Sequence, residues 1–414
     1  MLTADFFKEY DPIDDAFAYK GKDDNICEKK YCANCCENEG NLMRCSHCML
    51  ENYCSQECQR EAYKRHKKEC KSVHECRKKV AALETAVRGG TIPIWDNNQY
   101  KFAGKRVDFF DEKYLGDWWG YLDPRDYCRA VSLLSNTIKD IAWYYQYYYY
   151  YHYNYYHYHH RDYEVVSIWK ECANLKLELL RYNLRDDQGN RFELPSVLLY
   201  LNRDDDCFQF IKWWALRLEE QYVRVDYNRP FEGKKLWGKG EFVYNEVEGN
   251  RFEDVYPMFD DNGEQNPGLD QQIRVELSGV LALVVIKMRI CAHLECSMFS
   301  LKEDPAADAV SRTRLATQMK LLDKYLKMTH KMNKYLLHIF ASTENVTFMR
   351  AQGPPHYSTK NSPEEAFRYM DLYIRHIARI PCGLVYCKTF LEKIGETTNS
   401  PDLHYNVHYQ YQGR

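Results

Sequence analysis

The sequence predicts a mainly helical protein in which a small, cysteine-rich, metal-binding unit precedes a large helical body. Two observations indicate this fold class. Ten of the 17 cysteines fall between Cys27 and Cys76, and much of the remaining chain repeats its apolar residues at helical spacing after recognisable helix starts. Hydrophobic residues make up 45% of the 414 residues and charged residues 28%, a balance that excludes a long disordered or collagen-like chain.

Net charge and the lengths of the apolar segments indicate which partners and which compartment to expect. The formal net charge is −3, so nucleic-acid binding needs a local basic patch. The most apolar segment, Leu277 to Ile286, is shorter than the ~20 residues that span a bilayer, and we expect a buried helix and no membrane partner. Residues 1–10 lack the apolar run of a secretory signal. We therefore expect an intracellular protein, cytoplasmic or nuclear, whose clustered cysteines bind metal rather than form disulfides.

Composition shifts along the chain predict seven segments. Arg88-Gly89-Gly90 interrupts a helical pattern, and Gly238-Lys239-Gly240 belongs to a stretch rich in Gly, Asn and Asp. The predicted order is an acidic flexible leader at 1–26, the cysteine-rich unit at 27–77, a linker at 78–116, a helical block at 117–222, a loop-rich insert at 223–272, a second helical block at 273–395 and a flexible tail at 396–414.

The first helical block contains an unusual tract. Asp123 and Pro124 predict a helix start, and apolar residues then recur at helical spacing as far as Ile141. Residues 143–160 are almost wholly Tyr and His, which gives neither a helical nor a strand stripe. We expect a low-complexity surface insert between two antiparallel helices, with weak metal binding by its histidines as the alternative.

The second helical block has the clearest start signals. Asp304-Pro305 opens one long helix, and Ser362-Pro363-Glu364-Glu365 is a capping box with Pro at the first helical position. Paired helices of this length can stack as a TPR-like solenoid, but no repeat occurs at a fixed period. A TPR-like solenoid and an irregular helical domain therefore both stay open.

The cysteine-rich unit holds four pairs of metal ligands. The pairs are Cys32-x2-Cys35, Cys45-x2-Cys48, Cys54-x3-Cys58 and His66-x3-Cys70. Zinc favours four tetrahedral S and N ligands, so eight ligands predict two zinc ions. Both ions are expected to be structural, because a catalytic zinc keeps one position open for water. The unit has few large apolar residues, so zinc binding, worth about 10–16 kcal/mol in small modules, must supply its folding energy.

The order of these ligands, six Cys followed by one His and a last Cys, resembles the MYND zinc finger over about residues 32–70. The resemblance implies a cross-braced arrangement, in which alternate pairs share an ion. The first zinc would be held by Cys32, Cys35, Cys54 and Cys58. The second would be held by Cys45, Cys48, His66 and Cys70. Cys27, Cys36 and Cys76 are left over, so whether one of them replaces one of the eight ligands stays open.

Members of that family hold short peptides of the Pro-x-Leu-x-Pro type along a small strand pair and a helix face. The family positions that make this contact fall here on Ser46, Gln59 and Tyr63. The family usually has Trp at the last position, whereas Tyr63 offers less area and no indole N–H. A finger that only braces its own chain is the alternative.

These features favour a non-enzymatic adaptor that recruits a proline-containing protein, in transcriptional or signalling regulation. SET lysine methyltransferases with this finger carry an Asn-His-x-Cys segment, which this sequence lacks. One alternative is an enzyme with an unrecognised active site in the helical body. Another is nucleic-acid binding through the basic run at 60–79, but that run lacks interleaved aromatic residues. We expect it to be a solvated face or a dock for acidic protein segments.

Overall fold

The computed structural model describes most of the chain outside its two ends and one long internal segment. The described residues are 32–35, 37, 40–96, 99–116, 118–152, 158–184, 186–216, 250–265, 275–300, 305–355, 357–397 and 403–405. Within these residues the protein has eleven α-helices and two short antiparallel strand pairs. The predicted mainly helical fold with an N-terminal cysteine-rich finger is confirmed.

The chain divides into two compact units. Of the described residues, the finger unit comprises those from 32 to 201, and the C-terminal unit comprises those from 202 onward. The division after Leu201 cuts through the helical block predicted at 117–222. The predicted leader at 1–26, and residues 223–249 and 266–272 of the predicted insert, lie outside the described residues.

Within the described residues, the finger unit combines two small sheets with three long α-helices and one short one. The strands are β1 (Met43–Arg44) paired with β2 (Asn52–Tyr53), and β3 (Gly90–Asp96) paired with β4 (Gln99–Val107). The helices are α1 (Gln56–Arg88), α2 (Asp123–His152), α3 (Tyr158–Tyr182) and α4 (Asn190–Tyr200).

Helix α1 carries the chain out of the finger without a break. It begins where the Ser55 hydroxyl accepts a hydrogen bond from the Cys58 N–H at 3.2 Å, and it ends at Gly89. Residues 78–116, predicted as a linker, instead contain the end of α1 and the β3–β4 hairpin. The Gly89-Gly90 pair ends the helix and turns the chain directly into a strand, and this change of element looked like a domain boundary in the sequence.

An aromatic core explains why the segment after the hairpin is ordered. Trp118 stacks on Tyr182 of α3 with ring centroids 4.0 Å apart, and its indole N–H donates to the Phe109 carbonyl at 3.1 Å. Phe109 and Trp118 are fully buried. Val107, Phe109 and Tyr114, which were predicted to belong to a linker, therefore join Trp118 in the hydrophobic core between α1, α2 and α3.

The tyrosine-rich tract at 143–160 continues two helices. Helices α2 and α3 run antiparallel, since Tyr127 lies near Tyr182 and Trp143 lies near Trp169. α2 extends to His152 and α3 begins at Tyr158, so the structure differs from the predicted separate insert. A helix that is already formed by its packed part propagates at little cost into a uniform sequence. Residues 153–157 lie outside the described part.

Within the described residues, the C-terminal unit consists of helices joined by loops. Its helices are α5 (Asp204–Leu216), α6 (Leu277–Ser300), α7 (Pro305–Met332), α8 (Lys334–Ala341), α9 (Thr343–Gln352), α10 (Pro363–Arg379) and α11 (Gly383–Lys393). The predicted start of α10 is confirmed, because the Ser362 hydroxyl accepts from the Glu365 N–H at 3.2 Å. Within the predicted flexible tail, Leu403 and Tyr405 are instead buried, and the Tyr405 hydroxyl donates to the Gly353 carbonyl at 2.6 Å.

Helix α6 is the buried centre of the C-terminal unit. Among the described helices it alone is long and apolar enough, by composition, to cross a membrane. An 18-residue apolar stretch within Leu277–Met298 is 83% buried inside the protein. The buried apolar segment is longer than the predicted Leu277–Ile286, because Lys287, which follows Ile286, is itself buried and its ammonium group is hydrogen-bonded. The Lys287 ammonium donates to the carbonyls of Arg251 and Glu253 and to Gln318 Oε1, at 2.6, 2.9 and 2.9 Å.

A second buried lysine fixes the loop at 250–265 on α7. The Lys324 ammonium donates to the Asp254 carboxylate at 2.6 Å and to the carbonyls of Tyr256 and Phe259 at 2.7 and 2.6 Å. The Tyr325 hydroxyl donates to the other Asp254 oxygen at 2.7 Å. Three acceptors satisfy all three protons of the ammonium group, which offsets the desolvation of its charge. This described part of the predicted insert is an irregular but closely held loop.

We expect Lys324→Met to lower the free energy of unfolding by about 3–5 kcal/mol, because the substitution leaves the Asp254 carboxylate without its buried cation. The matched control is Lys320→Met, whose exposed partner is Asp261 at 2.9 Å, and whose expected cost is below about 1 kcal/mol. Urea unfolding followed by circular dichroism measures both. Equal costs for the two variants would show that the buried lysine is not what holds the loop.

Candidate metal centre

The first group of ligands joins the start of the finger to the start of α1. Cys32, Cys35, Cys54 and Cys58 offer sulfur atoms that all lie within 4.8 Å of one another. The Cys54 sulfur lies 3.5 Å from that of Cys35 and 3.5 Å from that of Cys58. A tetrahedral zinc with Zn–S bonds of about 2.3 Å separates its sulfurs by about 3.8 Å, so these distances fit one zinc ion.

The second group joins the loop after β1 to the middle of α1. Cys45, Cys48, His66 and Cys70 offer ligand atoms within 4.8 Å of one another. The Cys45 and Cys70 sulfurs are 3.7 Å apart, and the Cys48 sulfur lies 3.3 Å from His66 Nε2. His66 and Cys70 are four residues apart on α1, so both project from one face of the helix. This group also fits one zinc ion.

Both groups are closed sites that alternate along the chain. Each group has four cysteine or histidine ligands. Counted along the chain, the first and third ligand pairs form one group, and the second and fourth pairs form the other. This is the cross-braced order that the resemblance implies. Cys76 lies apart from both groups, with its sulfur 3.7 Å from Thr137 Oγ1. Cys27 and Cys36 lie outside the described residues. The two groups fit two structural zinc ions, which would hold the finger loops on α1.

Local hydrogen bonds favour the thiolate form of two ligands, Cys45 and Cys32. Burial raises the pKa of Cys45, but the Cys48 N–H, the His66 side chain and the His47 N–H outweigh burial and lower the pKa to about 6. Burial likewise raises the pKa of Cys32, and N–H groups led by those of Cys35 and Cys54 lower it to about 7. Because zinc binds thiolate rather than thiol, these backbone donors prepare both sulfurs for the metal.

A buried carboxylate lies behind the histidine ligand. His66 Nδ1 lies 3.2 Å from a Glu51 carboxylate oxygen, and the Tyr53 hydroxyl donates to the same oxygen. Glu51 and Tyr53 are both buried. A carboxylate behind a zinc-binding imidazole fixes the ring and leaves Nε2 free to bind the metal. Glu51 was not among the predicted site residues; its one signal in the sequence was an acidic residue two positions before Tyr53, on the same side of an extended segment.

Arginine side chains attach the finger to the helices of its unit. Arg65 donates to the Ala33 carbonyl at 2.7 Å. Arg77 donates through Nε to the Cys48 carbonyl at 3.0 Å, and its other nitrogen pairs with Glu171 of α3. An arginine of α1 therefore binds one backbone carbonyl in each of the two Cys-x2-Cys segments, 32–35 and 45–48.

The structure leaves the three candidate peptide-binding positions accessible at the surface of the finger. Ser46 follows β1 and is exposed, Gln59 is half-buried, and Tyr63 is 53% exposed. Gln59 and Tyr63 are one helical turn apart and share a face of α1. The Lys67 ammonium lies 5.7 Å from the centre of the Tyr63 ring. Their contact with a peptide stays a prediction.

These features define a zinc-stabilised protein-interaction module. The sequence profile of the MYND finger matches residues 32–70, and these residues form a MYND finger.

Similarity to curated proteins is confined to the finger region. Human histone-lysine N-methyltransferase SMYD3 is 37% identical over 80 residues, which cover 19% of each chain. The mouse protein of the same name is 29% identical over 80 residues. SET domain-containing protein 14 of Caenorhabditis elegans is 47% identical over 45 residues, or 11% of this chain and 10% of that protein. The chain thus spans at most about a fifth of the length of these relatives. No solved structure matches the chain.

We expect Glu51→Gln to weaken zinc binding at the second site by about 10- to 100-fold, because the amide no longer holds the His66 ring through a negative charge. Competition with a chromophoric chelator measures zinc release from each site. Glu57→Gln is the control, since Glu57 is exposed and pairs with Arg60. Identical release curves for the two variants would rule out the role assigned to Glu51.

Substituting Cys70 and Cys76 separately tests the ligand register. We expect Cys70→Ser to lose one of two zinc ions per chain, because it breaks the second group, and Cys76→Ser to retain both. Elemental analysis of the purified, desalted variants measures the zinc content. Loss of zinc from Cys76→Ser with retention by Cys70→Ser would mean that Cys76 is the eighth ligand.

Proposed function

We propose that this protein is a non-enzymatic adaptor whose MYND finger recruits a proline-containing partner protein, in a setting of transcriptional or signalling regulation. The observation that carries the proposal is the combination of two closed zinc groups with outward-facing residues beside them. A zinc ion with four protein ligands has no position for water or substrate, so it serves as a scaffold. Recognition then falls to the surface of the finger.

The surface of the finger suits an extended peptide. β1 is exposed at both of its residues, and within the described part of the chain it pairs with β2 alone. An extended peptide can add to such a strand edge through backbone hydrogen bonds. The exposed Tyr63 ring can stack on a proline, and the Gln59 amide can donate to or accept from the peptide backbone.

The tyrosine at position 63 sets the expected strength of this contact. Tyrosine buries less area against a proline ring than tryptophan does and lacks the indole N–H. We expect Tyr63→Ala to weaken the binding of a Pro-x-Leu-x-Pro peptide by about tenfold, and Tyr63→Trp to strengthen it. Fluorescence anisotropy with labelled peptides and zinc-loaded full-length protein measures both. Unchanged zinc content controls for folding of the finger.

The contrary result is a protein that binds no proline-containing peptide and turns over a substrate. Lysine methylation is the reaction to examine, because the relatives that share the finger are named as methyltransferases. Incubation with labelled S-adenosylmethionine and histones supplies that assay. The adaptor proposal predicts no incorporation, and incorporation that survives Cys70→Ser would assign an active site to the helical body.

A further inference from the structure

Helix α1 separates its basic residues by role. Arg65 and Arg77 point toward the finger and bind the backbone carbonyls of Ala33 and Cys48. The remaining basic residues near the finger are exposed. Five of them form what we name the basic stripe: Arg60, Lys64, Lys67, Lys68 and Lys71. They recur at spacings of three and four residues, so they lie along one side of the helix over about 16 Å.

The stripe concentrates positive charge that the described part of the chain does not neutralise. Arg60 pairs with the exposed Glu57, but Lys64, Lys68 and Lys71 have no acidic partner among the described residues. Like charges three and four residues apart on a helix repel one another. The exposed Glu75 ends the stripe on this side of the helix. An anionic ligand would relieve the repulsion.

The stripe borders the candidate peptide site. Gln59, Tyr63 and Lys67 follow one another at four-residue spacing, so they share one face of α1, and Lys67 also belongs to the stripe. The Lys67 ammonium lies 5.7 Å from the centre of the Tyr63 ring, so the candidate peptide site and the stripe meet at Lys67. A peptide that crosses Tyr63 therefore continues onto the lysines.

We propose that the basic stripe binds an acidic segment that flanks the proline-containing core of the partner peptide; this inference rests on the proposed function. An extended peptide advances about 3.3 Å per residue, so about five residues cover the stripe. Their alternate side chains lie about 6.6 Å apart on one side, close to the spacing of neighbouring lysines on the helix. Asp or Glu at alternate positions of the flank match the stripe. A peptide is favoured over nucleic acid because the row beside the stripe offers one aromatic ring rather than a stacking platform.

The test compares two pairs of labelled peptides that share a Pro-Ala-Leu-Ala-Pro core. One pair carries a five-residue flank of alternating Asp and Gly, and the other pair carries a flank of alternating Asn and Gly. Within each pair, one peptide has the flank before the core and the other has it after the core. Affinities for the zinc-loaded full-length protein are measured by anisotropy at 50 and 300 mM NaCl. The stripe variant is Lys64→Gln/Lys68→Gln/Lys71→Gln, which spares Lys67 beside Tyr63. The matched control, Lys78→Gln/Lys79→Gln/Lys105→Gln, removes the same charge from exposed lysines elsewhere.

We expect the acidic flank to strengthen wild-type binding about tenfold at 50 mM NaCl, at about two- to threefold for each of three exposed ion pairs. The gain should shrink at 300 mM NaCl, vanish in the stripe variant and persist in the control. A tenfold gain that survives in the stripe variant overturns the inference. Equal binding of both peptides to the wild type overturns it while the adaptor function stands.

Two further outcomes show whether the adaptor function itself fails or the stripe binds a different kind of ligand. Absence of binding by every peptide refutes the adaptor function and this inference together. Equal binding of the two peptides, combined with binding of a 20-base-pair DNA duplex that the stripe variant loses, would assign the stripe to nucleic acid and overturn the inference.

Discussion

Coordination of two zinc ions is the interaction on which the finger depends. The finger has little apolar surface of its own, so metal–ligand bonds must replace a hydrophobic core. Each ion takes part of its ligand set from α1: Cys58 at the start of the helix for the first group, and His66 with Cys70 further along it for the second. The ions therefore fix the finger loops to the same helix that packs against the rest of the unit.

The continuity of α1 gives the finger a rigid foundation. Its far end packs into the aromatic core around Trp118. Arg77 connects the Cys48 carbonyl of the finger to Glu171 of α3. The same helix presents Tyr63 and the basic stripe outward. A recognition surface on a well-supported helix loses little entropy when it binds a partner, which suits a scaffold that recruits by surface complementarity.

The sequence predicted the finger far better than the body. Eight ligands in fixed spacing could be assigned because coordination chemistry allows few residue types, and helix starts such as Ser362 follow local rules. Glu51, Lys287 and Lys324 could not be assigned, because their roles arise from burial beside groups distant in sequence, and buried charges run against the usual distribution. The linker assigned to 78–116 was incorrect because a Gly-Gly turn ends a helix equally well at a domain boundary or at a hairpin.

X-ray absorption spectroscopy at the zinc edge tests the closed finger on the intact protein, because it separates sulfur ligands from the lighter nitrogen and oxygen ligands. Seven cysteine sulfurs and one histidine nitrogen shared by two ions predict an average shell of 3.5 sulfurs and 0.5 nitrogens in two zinc ions per chain. Zn–S distances should lie near 2.3 Å. A single ion, or more than one light ligand for every two zinc ions, would contradict the closed, cross-braced finger.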